Sequence, residues 1–277
     1  YSPERLKVAD ATLYFSCMES ELDPRISTVL AHCGPMYSLA DESYIARAAT
    51  SSARNLEKAK DRLPQFKHVL CANYGLFKFA ETIAPNCHFA PAGVNVDAFP
   101  PLAPSENRGK LRVGWCGQVS EQENSKGFQA VMKPLLAGFG SEFDFVINER
   151  SQANPLTREE MLEWYRDIDV FLCTSSTEGT PMPPLEAMAV GRPVVTTPVG
   201  DVGALVKDSH NGFLVPEFRN RQSALRTVSA IADRLRELRD GDLRERLGDN
   251  ATETIRSYRN WQSLANHWLE IITRENA

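Results

Sequence analysis

Cysteine is sparse in this chain: six residues in 277, Cys17, Cys33, Cys71, Cys87, Cys116 and Cys173, with no two forming a C-x-x-C pair. Such spacing supports neither a disulfide framework nor a zinc site, and it reads as reduced thiols in a cytoplasmic protein. No apolar run approaches the roughly 20 residues that span a bilayer, so no transmembrane helix is expected. A basic surplus is missing too: the net charge is -5, which argues against nucleic acid as a partner. There is no internal repeat, no low-complexity tract, and no obvious Ser-His or Cys-His pairing for nucleophilic catalysis. The chain begins at Tyr1 rather than methionine, which leaves a processed or trimmed start open.

What is present is ordinary for a globular protein, with 42% hydrophobic and 24% charged residues over a length sufficient for two modest domains. The sharpest break is Phe99-Pro100-Pro101-Leu102-Ala103-Pro104 and the polar stretch behind it. Its prolines lack backbone donors and exclude both helix and central strand, so a linker is expected. Beyond it, apolar strands alternate with helices. Residues 111–116 read as a strand turning at Gly117, 128–139 as a helix and 143–147 as a second strand. Thr157 with Glu160 three residues on forms a capping box for a helix carrying Trp164 and Tyr165. Residues 170–174, 193–197 and 212–215 supply three more strands, with a short helix at 184–190. Helices at 221–239, 243–257 and 261–273 close the chain. This alternation implies an α/β fold, a parallel sheet covered by helices, with ligands outside the carboxyl ends of its strands. Before the linker the signal is weaker: strands at 27–31 and 68–72, and a helix over about 41–63.

The segment Ser175 to Gly200 carries the chemistry. Glu178 lies just past a buried strand, in a loop of glycine and proline. Glu186 lies one turn into the next helix, whose start is preorganised by proline and whose positive end faces the same place. Two carboxylates beside an anion-suited site fit a sugar nucleotide, because carboxylates accept from hydroxyls while backbone N–H groups meet a diphosphate. The plain alternative is that Glu186 merely serves its helix and Glu178 is a solvated loop acid. Spacing alone does not decide between them.

The segment resembles the signature of group 1 glycosyltransferases of the family 4-like type, nucleotide-sugar-dependent retaining enzymes built from two Rossmann-like lobes (the GT-B architecture). Their motif runs S-x-x-E-G-x-x-x-P-x-L-E-A-M-A-x-G-x-P-V-V. Glu178 and Glu186 have its separation of seven residues, and Pro183, Leu185, Ala187, Met188, Gly191, Pro193 and Val194 fit it. Thr197-Pro198-Val199-Gly200, Asn211 through Val215, and Pro91 through Pro100 continue the likeness, which thins before His68. By resemblance, residues 1–104 form a short or truncated acceptor-side lobe and 105–260 the nucleotide-sugar lobe. The terminal helix 261–277 packs back on the first lobe, which makes Trp261 and Trp268 packing residues.

The resemblance also implies roles. Glu186 binds the ribose hydroxyls and Glu178 contacts the donor sugar. Gly179 and the N–H groups of Thr180 and Met182 approach sugar and diphosphate, with Pro181, Pro183 and Leu185 in the same donor-binding segment. Gly117, Gln118 and Lys126 form the phosphate loop, with Lys126 as the catalytic cation and His32 as a further catalytic residue at the end of a first-lobe strand. The chain departs from the pattern at several points. Gln118 stands where the family has arginine, which loses a bidentate cation. Pro181 replaces a glycine, Ala204 a glutamate, and Asp201 a second glycine, placing a carboxylate near the anion site. The glycine-rich loop of the family's first lobe is also missing.

Two D-x-D patterns, Asp167-Ile168-Asp169 and Asp240-Gly241-Asp242, lack a third ligand at useful spacing, so no metal is expected. The basic run Arg54, Lys58, Lys60, Arg62 and Lys67 reads as a solvated helix face, or as contact with an anionic membrane surface. The expectation is a transferase moving sugar from a UDP- or GDP-sugar to a glycan, lipid-linked or small-molecule acceptor. It would need no cofactor beyond that co-substrate, and would be cytoplasmic or peripheral to the inner face of the membrane. The rival expectation is a non-catalytic binding or scaffolding relative.

Overall fold

The structure, a computed structural model, describes residues 6–8, 11–14, 27–31, 57, 60–61, 63–66, 68–72, 74–104, 109–119, 125–149 and 156–273. The chain divides into two compact units, Tyr1–Gly93 with Trp261–Ala277, and Val94–Asn260.

The first unit holds a five-stranded sheet in sequential order, β1 (Leu6–Val8), β2 (Ala11–Tyr14), β3 (Ser27–Ala31), β4 (His68–Cys71) and β5 (Cys87–Phe89). β1 and β2 are antiparallel, and every other pair is parallel. β4 is buried along its whole length, as a central parallel strand must be. Helix α1 (Tyr74–Ala80) follows it. The last helix, α8 (Trp261–Thr273), groups with this unit. Its Ile271 is buried with Leu70 and Ala90, and Trp268 Nε1 donates to the Pro91 carbonyl at 3.1 Å. Trp261 and Trp268 pack edge to face, 5.3 Å between ring centroids. The sequence signalled β3 and β4 but not β1, β2, β5 or α1. Most of the helix expected over 41–63 and most of the basic run lie outside the described residues.

The second unit is a five-stranded, wholly parallel sheet in the order β10-β9-β8-β6-β7. Its strands are β6 (Arg112–Gly117), β7 (Asp144–Glu149), β8 (Val170–Cys173), β9 (Val194–Thr196) and β10 (Gly212–Leu214). Its helices are α2 (Lys133–Phe139, entered through a π-helical turn at Phe128–Met132), α3 (Arg158–Arg166), α4 (Met182–Ala189), α5 (Gly200–Leu205), α6 (Arg221–Glu237) and α7 (Gly241–Tyr258). Alternate residues of β8 serve opposite faces. Phe171 and Cys173 join Met161 and Tyr165 of α3, Leu185 and Met188 of α4, and Ile255 of α7. Val170 and Leu172 join Leu135 of α2 with Ile231 and Leu235 of α6. Helices therefore cover both faces, the α/β layering that the alternation implied.

The Thr157–Glu160 capping box is where the sequence put it. Thr157 Oγ1 accepts from Glu160 N at 3.2 Å, and Glu160 Oε2 accepts in turn from Thr157 N at 2.7 Å. Asp240 caps α7 by accepting from the N–H groups of Asp242 and Leu243. The unit boundary, however, falls between Gly93 and Val94 rather than at 104/105. Val94, Val96 and Phe99 are buried in the second unit's core, and Leu102 N donates to the Val190 carbonyl at 3.0 Å. The proline run is thus extended chain bound to that unit's surface: prolines exclude regular structure but do not oblige a free linker. Among the described residues, no helix is long and apolar enough to cross a membrane.

Candidate functional site

At the carboxyl ends of β6, β8 and β9 three loops are fastened together. Thr174, just past β8, accepts from Trp115 Nε1 at 2.9 Å and donates through Oγ1 to the Lys126 carbonyl at 2.8 Å. Ser176 N donates to the Ser125 carbonyl at 2.8 Å. Just past those anchors Gly127 turns with φ 71°, and a Cβ there would sit 2.0 Å from the Thr174 carbonyl oxygen, so only glycine fits. Gly117, at the end of β6, is buried, and a Cβ there would meet the Trp115 ring at 2.8 Å.

This stitching aims two charges at each other. Lys126 Nζ pairs with Glu178 Oε1, and the Ser175 hydroxyl donates to the same oxygen at 2.7 Å. The Glu178 side chain is 12% exposed and that of Lys126 37%, so both reach solvent at the mouth of a small cleft. Ser175, Pro181, Pro183 and Pro184 line its walls, with Phe171 and Cys173 among its inner residues. Burial, and then the charge of Glu178, push the Cys173 thiol pKa up.

The turn that carries Glu178 is clamped from β9. Thr197 Oγ1 donates to the Ser175 carbonyl at 2.6 Å, and Asp201 N donates to the Gly179 carbonyl at 3.0 Å. Gly200 has φ 50°, and a Cβ on it would lie 2.2 Å from the Gly179 oxygen. Gly179 and Thr180 are buried in this turn.

Helix α4 then starts at Met182 behind Pro181, which has φ -70° and ψ 111°. Proline suits a first turn, where N–H groups have no helical partner. With Pro183 and Pro184 next in line, Met182 is the only one of the first three helical residues to keep an N–H. Leu185 is buried in the core. Glu186, beside it, is half-buried, and its Oε2 accepts from the Tyr165 hydroxyl at 2.9 Å; that hydroxyl also lies 2.9 Å from the Pro183 carbonyl.

Most of the residues singled out from the sequence therefore gather at one end of the second unit's sheet. Lys126 and Glu178 touch. Gly117, Gly179, Thr180, Pro181, Met182 and Pro183 frame them, Gln118 is exposed at the end of β6, and Glu186 stands on α4 beside Tyr165. His32 lies outside the described residues. The carboxylate expected near the anion site at Asp201 is instead folded inward, where its Oδ2 pairs with Arg259 Nη2 at 2.9 Å and Nε at 3.2 Å. That pairing offsets a charge that would otherwise repel an anion.

Neither D-x-D pattern faces the cleft. Asp167 pairs with Arg112, and Asp169 accepts from Arg112 N at 2.7 Å, at the opposite end of β8. Among the described residues, no three His, Cys, Asp or Glu side chains are grouped to hold a metal.

Sequence reasoning did not assign parts to Ser175, Tyr165 or the Arg259–Asp201 pair. Ser175 had a signal, because a spacing of three residues lets its hydroxyl turn back to Glu178. Tyr165 reaches Glu186 from another helix, 21 positions away, which no spacing rule reveals.

Comparison with known proteins identifies the family and the fold. The family described as "Glycosyl transferases group 1" matches residues 96–238. D-inositol 3-phosphate glycosyltransferase of Streptomyces bingchenggensis is 32% identical over 123 residues, which is 40% of this chain and 27% of that protein. The chain thus spans about a quarter of the length of the curated relatives it matches. Two solved structures share the fold. Sucrose-phosphate synthase from Thermosynechococcus elongatus has a TM-score of 0.63 at 19% identity, over 88% of this chain and 66% of its own. Anabaena HepE, in complex with UDP and glucose, has a TM-score of 0.65 at 14% identity, over 90% of this chain and 72% of its own.

Proposed function

The chain belongs to the group 1 glycosyl transferases, and from that premise we propose that its Val94–Asn260 unit binds a nucleotide sugar and the protein transfers the sugar with retention of configuration. The observation that carries the reading is the Lys126–Glu178–Ser175 cluster at the carboxyl end of a parallel sheet, where ligands of such sheets sit. Lys126 would neutralise the diphosphate, Glu178 would accept from hydroxyls of the donor sugar, and Glu186 would accept from the ribose. Gly117 and the Thr180 and Met182 N–H groups would border the phosphates, where Gln118 adds a polar but uncharged contact.

In a front-face transfer the departing diphosphate takes the acceptor's proton while the new glycosidic bond forms on the face it leaves. The protein then supplies positioning and charge stabilisation rather than a nucleophile. No metal or further cofactor enters this scheme, since Lys126 supplies the positive charge. UDP and GDP sugars are the donors to test first, UDP foremost because the HepE structure holds it. The acceptor class is a glycan, a lipid-linked sugar or a small molecule, reached in the cytoplasm or at the inner face of a membrane.

A non-catalytic relative is the second reading. Exposed, uncharged Gln118 and a helix start with three prolines favour it, because both reduce the charge and donors available to a leaving diphosphate. Thermal stabilisation by UDP, GDP, ADP and their sugar conjugates tests the proposal, on the wild type and on Glu186→Ala. One diphosphate and its sugar conjugate should stabilise the wild type, by about 2.7 kcal/mol at a hundredfold excess over Kd, and the variant far less. No stabilisation by any nucleotide would sink the donor site. Binding without hydrolysis or transfer of any sugar would favour the second reading.

A further inference from the structure

We infer that Tyr165 is a positioning residue for the nucleotide's ribose, acting by holding the Glu186 carboxylate in place. The inference rests on the donor-site reading above and adds a residue to it.

Tyr165 is fully buried on α3, yet its hydroxyl emerges beside the first turn of α4. There it lies 2.9 Å from both the Pro183 carbonyl and Glu186 Oε2. A phenol carries one proton, and an ionised carboxylate has none to return, so the hydroxyl is the donor and the two oxygens compete for it. The competition favours Glu186. The Pro183 carbonyl sits inside α4, where the i+4 N–H of the helix supplies its own donor. A hydrogen bond to a charged acceptor is also about twice as strong as one to a neutral one.

The two partners differ in freedom. The Tyr165 ring is wedged against Phe99 at 6.0 Å, Trp164 at 5.3 Å and Phe171 at 6.3 Å, and Arg192 Nε donates to the Tyr165 carbonyl at 3.0 Å. Glu186 is half-buried on a long side chain. Fixing such a side chain costs rotamer entropy, a cost otherwise met when ligand binds. The phenol occupies one side of Oε2 and meets that cost beforehand. With Oε2 held, the carboxylate keeps one orientation, as two neighbouring ribose hydroxyls require.

The test measures Kd for the nucleoside diphosphate that the wild type binds, and for its 2′-deoxy and 3′-deoxy forms. It uses the wild type, Tyr165→Phe, Glu186→Gln and the double variant. Tyr165→Phe should weaken the ribonucleotide roughly three- to tenfold while leaving the deoxy forms nearly unchanged, so discrimination shrinks. In the Glu186→Gln background the same change should add little. Should Tyr165→Phe fold poorly, 3-fluorotyrosine at position 165 preserves the packing and makes the hydroxyl a stronger donor, so discrimination should rise. Wild-type discrimination in either protein, or an equal loss in the Glu186→Gln background, overturns the inference and leaves the donor site standing. A wild type that binds no nucleotide removes both.

Discussion

Lys126 and Glu178, 52 positions apart, are ion-paired at the end of the second unit's sheet, and the Ser175 hydroxyl shares the same carboxylate oxygen. Each is half of the proposed donor chemistry, and without ligand each satisfies the other. The Lys126 side chain is 37% exposed, so the pair is solvent-screened and stabilises the fold little. A diphosphate brings more negative charge than one carboxylate and can draw the ammonium toward itself. Glu178 then stays oriented by Ser175.

The first prediction follows. Lys126→Ala should weaken a nucleoside diphosphate by about 1.5–3 kcal/mol, roughly ten- to a hundredfold, the range for a charge-assisted hydrogen bond. The parent nucleoside should lose far less, and the salt dependence of Kd should flatten because one ionic contact is gone. Calorimetry at two ionic strengths reads both. Equal losses for nucleoside and diphosphate would remove Lys126 from the phosphate.

The second prediction concerns the loop behind it. Gly127→Ala puts a methyl group 2.0 Å from the Thr174 oxygen on a backbone with φ 71°. Strain of this kind costs about 1–3 kcal/mol and is relieved only if the Ser125–Gly127 turn moves away from β8. Nucleotide affinity should fall along with the melting temperature, whereas Gly138→Ala, with open space around its Cβ, should leave affinity unchanged.

Most of the second unit was legible in the sequence because its signals are local. Thr157 and Glu160 spell a capping box, and Val170 through Cys173 are apolar on both faces as a buried parallel strand requires. Glu178 and Glu186 were legible as a pair because a loop and the helix after it are contiguous. What escaped depends on contacts between distant segments. Val94 and Phe99 looked like the approach to a linker until their burial placed them in the core. Helix α5 is six residues long, too short to show a period. Asp201 looked like a charge in the wrong place because Arg259, 58 positions on, supplies its partner.

That pair gives the third prediction. Removing one member of a buried ion pair strands the other, at about 3–5 kcal/mol. Arg259→Ala should therefore unfold at markedly lower denaturant, since the Asp201 side chain is 0% exposed. Arg259→Met with Asp201→Leu, which removes both charges at similar volume, should recover much of the loss. If Arg259→Ala alone costs under about 1 kcal/mol, the pair is not buried in solution.

The last prediction is a dependence on pH. Burial first, and the Glu178 charge second, hold the Cys173 thiol above its ordinary pKa. In the unfolded chain that thiol ionises in the usual range. Below this range both states keep the proton, and the contribution of the protonated thiol to stability is whole. As pH rises past it, the unfolded chain releases its proton first, so stability falls until the folded thiol ionises as well. Denaturation of the wild type should show this decline on the alkaline side, and Cys173→Ala should show a shallower one. Only the thiolate is alkylated, so native Cys173 should resist iodoacetamide near neutral pH and react once the chain is unfolded. Peptide mapping by mass spectrometry distinguishes it from the other cysteines, and rapid labelling of native Cys173 would contradict its burial behind Glu178.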